Sequence, residues 1–309
     1  LTSAEGIQHD SLFWMPDSGE ADFKLIFQPM PKNTSQFNFC EGNEEGAFRI
    51  WGIDLTGKVN TGFPIGLPEA LKKKPTDGSL PAPIFESGHT KITFHLLADK
   101  MAFEKEYTLY VNTIFGTQQE KAMKFNSDGV ATVEFDQDGT AYCVAVSNYH
   151  ALVSFWVAPG DNMDVYIDGR VEGYIYQMNK QDPPKSNPNG YAYFTGHYAD
   201  LNRIADMCRF ESVGNDEEYE MSYKMTGDEF MAELSRYYTA AVNNLKAQPC
   251  PQMMKEMTIA TYQQGVIDAF CHTDRLLYTY SQGSRTALPK DSLNVRLTQN
   301  HAKQLPNLI

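Results

Sequence analysis

The chain has 309 residues, of which 42% are hydrophobic, and a formal net charge of −13. This length suffices for two or three domains with hydrophobic cores, and the composition excludes a globally disordered chain. The acidic charge argues against a nucleic-acid partner, because binding to phosphates needs a basic surface.

The first 60 residues are predicted to form a β domain that is incomplete at its N-terminus. In ADFKLIFQPMP (21–31), Ala21, Phe23, Leu25 and Phe27 recur at every second position, which is the period of a strand. FNF (37–39) and FRIWGIDL (48–55) are further strand candidates. Residues 61–88 are rich in Pro, Gly and Lys and are predicted to be a connector.

Residues 89–190 are predicted to form a β-sandwich domain. Apolar residues alternate in KITFHLL (91–97) and YTLYV (107–111), and Asp128-Gly129 is a strong hairpin signal. Three more strand candidates follow, namely YCVAV (142–146), LVSFWV (152–157) and DVYI (164–167). Several short strands separated by turn signals are typical of a sandwich.

Residues 191–309 are predicted to form an α-helical domain. Thr226 and Glu229 match a capping box, and apolar residues follow at helical spacing. Pro251 suits the first turn of the next helix, and an earlier helix is expected over 197–209. The fold class is therefore β plus α, with two immunoglobulin-like β-sandwich domains followed by an all-α helical domain.

The stretch VAPGDNMDVYIDG (157–169) carries three aspartates within eight residues and could be a cation-binding loop or a turn and strand of a hairpin. A calcium loop that started at Asp161 would need oxygen ligands where Met163 and Val165 stand. The alternation instead predicts a strand after a turn at 158–161, with Asp164 and Asp168 on its solvent-exposed face. We predict no metal site here.

No catalytic motif is present in the sequence, and we predict no catalytic residue and no cofactor. The five cysteines have no CxxC spacing, and Cys143 is predicted to be a small buried hydrophobic residue. Because neighbours on a helix diverge, Cys271 and His272 are expected to be a buried cysteine and a surface histidine. Seven scattered histidines leave open a metal or catalytic group assembled only in the folded chain.

The best candidate for a ligand or partner contact is a group of tyrosines around 171–198. We single out Tyr174, Tyr176, Tyr191 and Tyr193. Their rings could stack on a sugar or anchor a protein partner. They could equally hold a long connector against the sandwich. The acidic run DEEYE (216–220) is expected to be a solvated loop.

Several stretches together resemble the N-terminal, non-thioredoxin region of redoxin/TlpA-like thiol-disulfide oxidoreductases of the Bacteroides group. They are SGEADFKLIFQPMPKNTSQFNFCEG (18–42), FRIWGIDLTGK (48–58), LPAPIFESGHTKITFHLL (80–97), YTLYVNTIFGTQQE (107–120), VAPGDNMDVYIDG (157–169), FTGHYADLNR (194–203) and CPQMMKEMTIATYQQGVIDAF (250–270). These stretches are architectural and carry no catalytic residue of that family.

The resemblance implies a thioredoxin-like domain with a WCxxC motif beyond the helical segment. No WCxxC is present here, so the chain is either a piece of a larger oxidoreductase, which we prefer, or a homologue without the redox domain. The implied role is a non-catalytic scaffold in the periplasm or at the cell surface, whose partner is a protein client or its own thioredoxin-like domain. A lipidated N-terminus outside this chain would be its membrane anchor. The alternative function is a glycan- or peptide-binding module.

Overall fold

The computed structural model combines β-sheets with four α-helices in the residues that it describes. Two compact units result, Leu1–Asn60 and Thr61–Ile309. The described residues are 1–8, 11–34, 36–40, 49–55, 62–97, 106–146, 151–169, 189–208, 225–271 and 297–307.

The first unit contains two antiparallel strand pairs. Strand β1 (Ser3–Glu5) pairs with β2 (Lys24–Ile26), and β3 (Gln36–Cys40) pairs with β4 (Arg49–Asp54). The strand periodicity at 21–27 is thus realised over only three residues, and Phe27 remains 45% exposed. No described side chain of this unit belongs to the buried hydrophobic core.

The second unit is built on two four-stranded sheets. One sheet, the β5 sheet, has the order β12-β11-β5-β8, and the other, the β6 sheet, has the order β10-β9-β6-β7. The strands are β5 (Ser87–Leu97), β6 (Glu106–Thr113), β7 (Gln118–Lys124), β8 (Val130–Asp138), β9 (Ala141–Val146), β10 (Ala151–Val157), β11 (Asn162–Asp168) and β12 (Ala192–Phe194). Strands β5 and β11 are parallel, and every other pairing in these sheets is antiparallel.

The two sheets share one hydrophobic core. Alternate residues of β5, such as Ile92 and Phe94, and of β6, such as Leu109 and Val111, are fully buried in the same cluster. Cys143 lies in this core, as its apolar surroundings in the sequence predicted. Burial of alternate side chains is the arrangement that the period of two in these segments requires.

Two turns connect the sheets rather than closing hairpins. At Asn126–Gly129, the Asn126 carboxamide accepts hydrogen bonds from the Asp128 and Val130 N–H groups, and Gly129 has φ 73°. The Asp128-Gly129 turn is therefore present, but β7 and β8 on its two sides belong to different sheets. The hairpin prediction was wrong because turn chemistry fixes a chain reversal and not the strand that pairs with the next one.

The turn at 158–161 likewise takes the chain from β10 in one sheet to β11 in the other. The Asp161 N–H donates to the Ala158 carbonyl, and Gly160 has φ 82°. In β11, Met163, Val165 and Ile167 face the core as predicted, whereas Asp168 is fully buried instead of solvent-exposed. The short strand β12 extends the β5 sheet into residues 192–194.

The helices follow as α1 (Ala199–Met207), α2 (Gly227–Ala247), α3 (Gln252–Cys271) and α4 (Gln299–Gln304). The capping box at α2 is confirmed, since the Glu229 N–H donates to Thr226 Oγ1 and the Glu229 carboxylate accepts from the Thr226 N–H. Cys271 at the end of α3 is exposed, so its predicted burial was wrong. None of the described helices is long and apolar enough to cross a membrane.

Candidate functional site

The tyrosines that sequence analysis singled out divide into two pairs. Tyr174 and Tyr176 lie outside the described residues. Tyr191 and Tyr193 lie at β12, where Tyr191 is 9% exposed and Tyr193 is fully buried. Neither of these two rings presents a face to solvent, so their placement matches the alternative in which they hold the chain against the sheet.

Arg203 of α1 explains the burial of Tyr193. Its guanidinium carbon lies 3.8 Å from the centroid of the Tyr193 ring, and Phe63 lies beside the same ring at 6.1 Å between centroids. Burial lowers the pKa of Arg203, and the neighbouring Asp206 opposes that shift. A buried guanidinium over an aromatic face is a favourable cation–π arrangement, which fixes α1 against β12.

The same pair of charged residues holds the segment that leads into β12. Arg203 Nη1 donates to the Ala192 carbonyl at 2.9 Å and to Asp206 Oδ2 at 3.2 Å, and Nη2 donates to the Asn189 carbonyl. Asp206 Oδ2 also accepts from the Tyr191 and Ala192 N–H groups at 2.6 and 2.9 Å. The buried charges are therefore paired and hydrogen-bonded, as a low-dielectric environment demands.

The three aspartates at 161–168 have three separate roles. Asp161 accepts from the Ala158 N–H at 3.2 Å within its own turn. Asp164 accepts from His95 Nε2 at 2.7 Å, and Asp168 is buried at the end of β11. No three metal-ligating side chains converge in the described part of the chain.

His95, Asp164 and Tyr166 form a group on the outer face of the β5 sheet that sequence analysis missed. The imidazole and the Tyr166 ring stack at 4.4 Å with an interplanar angle of 11°. Parallel pairing sets Tyr166 opposite His95, and no sequence signal specifies that pairing. Burial and the Asp164 charge raise the pKa of Tyr166. The carboxylate orients the imidazole, but no described serine, threonine or cysteine hydrogen-bonds to the ring as a nucleophile does to its base.

Ion pairs extend along the same face of β5 toward its N-terminal end. His89 Nδ1 lies 2.8 Å from Asp136 Oδ1, and Lys91 Nζ lies 3.3 Å from Glu134 Oε1. The hydrogen bond to Asp136 raises the pKa of His89. These side chains are largely exposed, and exposed pairs of this kind contribute little to stability.

The connector is bound to α3 through two carboxylates. Asp77 accepts from the Gln252 and Met253 N–H groups at 2.8 and 3.1 Å, so it satisfies two free donors at the N-terminus of α3. Glu256 accepts from the Leu80 N–H at 2.6 Å. Hydrogen bonds lower the pKa of both carboxyl groups. The largest effect on Asp77 comes from the Gln252 N–H, and the largest effect on Glu256 comes from the Gln252 side chain.

Two side chains of the α1 region bind the connector and the β6 sheet. The Tyr198 hydroxyl donates to the Ala82 carbonyl at 3.2 Å and lies 2.8 Å from Thr140 Oγ1. Asn202 accepts from the Trp156 N–H at 2.7 Å and donates to the Trp156 carbonyl at 2.8 Å. Because β10 is an edge strand, the Asn202 carboxamide replaces the neighbouring strand that Trp156 lacks.

We call the side chains of Asp77, Tyr198, Asn202, Arg203 and Glu256 the fastening residues. Each of them hydrogen-bonds the backbone of a segment other than its own, and together they join the connector, the sheets, α1 and α3. Such contacts fix the relative positions of these elements.

The described surface of this unit has open grooves, two of which border the connector and the β6 sheet. One, of about 280 Å³, lies between Ser79 and Pro81 of the connector and His197 beside α1. The other, of about 540 Å³, lies on the β6 sheet around Tyr110 and Lys124. In the first groove, no hydrogen bond joins the described side chains of Ser79 and His197.

Comparison with family models and with curated proteins finds no match to the chain.

Proposed function

We propose that the chain is the non-catalytic N-terminal scaffold of a redoxin/TlpA-like thiol-disulfide oxidoreductase. In this proposal the two sheets of the second unit are an immunoglobulin-like sandwich, the first unit belongs to a second such domain, and the helices form an accessory domain. The partner is a protein client or the protein's own thioredoxin-like domain. The proposed location is the periplasm or the cell surface, with a lipidated N-terminus outside this chain as anchor.

The fastening residues are the observation that carries this proposal. A scaffold must keep its elements in fixed relative positions, and paired buried polar side chains supply such rigidity. Arg203, Asn202 and Tyr198 are all less than 9% exposed, and each bonds to backbone atoms of another segment. The sequence stretches that resemble redoxin/TlpA-like oxidoreductases support a thioredoxin-like domain as the partner.

The test is the intact mass of the natively expressed protein, followed by an insulin-reduction assay. We expect a product heavier than 34.8 kDa that contains WCxxC and reduces insulin. Residues 1–309 alone serve as the control and should leave insulin oxidised. A native product that ends near Ile309, or reductase activity of residues 1–309 alone, would contradict the proposal.

The alternative, a glycan- or peptide-binding module, finds support on the outer face of the β6 sheet. There Tyr142 and Trp156 are cross-strand partners whose ring centroids lie 4.8 Å apart, and Tyr110 lies one strand further along. All three are partly exposed, and Trp156 also packs against the hydrophobic cluster that α1 and α3 share. Neighbouring aromatic rings on a sheet are a suitable surface for stacking a sugar or an apolar peptide side chain.

A glycan and peptide array distinguishes this alternative from the scaffold. Binding by the wild type that Tyr142→Ala abolishes would support it, provided that Tyr262→Ala on α3 still binds. Tyr262 is a matched control because it is a partly exposed tyrosine on another element. An array without any bound ligand removes the alternative.

A further inference from the structure

Cys208 and Cys250 lie at helix ends that are far apart in sequence and adjacent in the fold. Cys208 directly follows Met207, the last residue of α1. Cys250 stands two positions before Gln252, the first residue of α3. Both thiols are partly exposed and unpaired in the structure, and both are therefore accessible to a reagent.

The last turn of α1 packs against the first turn of α3. Ile204 and Cys208 belong to the same hydrophobic cluster as Met253 and Met254. Cys250 is only three residues upstream of Met253, so its backbone lies next to the junction where Cys208 packs. The Asp77 carboxylate reaches this junction as well, through its hydrogen bond from the Met253 N–H.

The electrostatic environment of Cys208 agrees with the packing of the two helix ends. The pKa of the Cys208 thiol is raised, first by burial and then by the negative charges of Cys250 and Asp77. Like charges oppose ionisation only when they are close to the titrating group. The contribution of Cys250 is therefore consistent with a position of Cys208 beside the start of α3, which the packing against Met253 and Met254 establishes.

The other cysteines are in different environments. Cys143 is buried in the core of the two sheets, where burial raises the pKa of its thiol. Cys40 and Cys271 are exposed. Cys143 is inaccessible, and Cys271 lies at the opposite end of α3 from Cys250.

We propose that Cys208 and Cys250 are a site of oxidative modification at which an intramolecular disulfide joins α1 to α3. The oxidant is a disulfide reagent such as glutathione disulfide. One protein thiolate attacks it, which breaks the glutathione S–S bond and releases one glutathione thiolate. The second protein thiolate then attacks the mixed disulfide, forms the Cys208–Cys250 bond and displaces the second glutathione. Two protein thiols are oxidised and one glutathione disulfide is reduced, and the released glutathione thiolates take up the two protons.

The disulfide would close the chain between the two cysteines, which includes α2. A bond across such a segment stabilises the fold mainly by restricting the unfolded chain. It would also add a covalent connection where Asp77 already binds α3. The inference does not depend on the proposed scaffold function, because it concerns only the two thiols and their oxidation.

The test is exchange of the folded wild-type protein with glutathione disulfide, followed by proteolysis and mass spectrometry without reduction. We expect a cross-linked peptide pair that contains Cys208 and Cys250, with a mass two hydrogens below the sum of the two reduced peptides, and a Tm higher by about 5 °C. Cys271→Ser should keep the cross-link and the Tm shift, whereas Cys208→Ser and Cys250→Ser should each lose both.

Two outcomes would overturn the proposal. One is glutathione adducts on Cys208 or Cys250 without a cross-link. The other is that both cysteines remain free while Cys271 has reacted. The mapping uses the wild-type protein, so it stays decisive even if a serine variant fails to fold. A cross-linked protein with an unchanged Tm would overturn the stabilising role.

Discussion

Replacing Asn202 with alanine tests directly whether the contact between α1 and β10 stabilises the second unit. Asn202 is 1% exposed, and its carboxamide makes two hydrogen bonds to the backbone of Trp156. Each bond contributes about 0.5–1.5 kcal/mol, and a buried backbone group left without a partner costs about 1–3 kcal/mol. Alanine regains roughly 0.5 kcal/mol of helix propensity. We expect a net loss of about 2–3 kcal/mol in the free energy of unfolding, on the basis of these contributions.

Urea unfolding followed by far-UV circular dichroism measures the loss, and thermal unfolding should show a Tm lower by about 4–12 °C. Asn244→Ala is the matched control, because Asn244 is an exposed asparagine in α2. It should change the free energy of unfolding by no more than about 0.5 kcal/mol. If Asn202→Ala and Asn244→Ala unfold at the same urea concentration, the contact does not stabilise the fold and this reasoning fails.

Three further predictions concern single residues. Gln137 is 3% exposed, and both ends of its side-chain amide lack a hydrogen-bond partner among the described residues. Gln137→Met should therefore raise the free energy of unfolding by about 1–2 kcal/mol in urea titrations. A destabilised variant would contradict this prediction. Asp77 has a folded-state pKa below its ordinary value of 3.8, so its stabilising effect should be full above that value and be lost as the pH falls through the folded-state pKa. The difference in stability between wild type and Asp77→Asn should therefore shrink on acidification, and a difference that grows would refute the assignment. Gly190 has φ 63°, and a Cβ there would meet the Asp206 carboxylate, so Gly190→Ala should lower Tm. Gly78 is the control because it has open space around it and no positive φ, so Gly78→Ala should lower Tm less.

The strands of the second unit were well predicted because their apolar residues alternate. The segments that became β5, β6 and β11 were identified from this period, and those that became β9 and β10 were identified as short apolar segments. Strand β7 was missed because it is polar at most positions, with the sequence QQEKAMK. Strand β12 was missed because it has three residues, all of them buried, and so shows no alternation.

The pairing of strands could not be predicted from the same pattern. Alternation shows which residues face a core, but it does not show which strand lies beside another. Asp128-Gly129 favoured a hairpin, yet β8 pairs with β5. The parallel pairing of β5 with β11 joins strands that are separated along the chain by five others, and only the folded chain reveals it.

The candidate site depended on these pairings, so most of it was inaccessible to sequence analysis. Tyr193 was identified as an aromatic contact, but its burial follows from Arg203 and Phe63, which lie elsewhere in the chain. Asn202 shows no signal of its own in the sequence. Its role follows from the position of β10 at the edge of its sheet.

The most direct test of the central claim is hydrogen–deuterium exchange of residues 61–309 within the intact chain. If the fastening residues join the connector, the sheets, α1 and α3 into one cooperative unit, the N–H groups of Leu80, Ile84, Trp156 and Met253 should be protected together. Their protection should also fall together in Asn202→Ala. Rapid exchange at Leu80 and Met253 beside full protection of the sheets would contradict the claim.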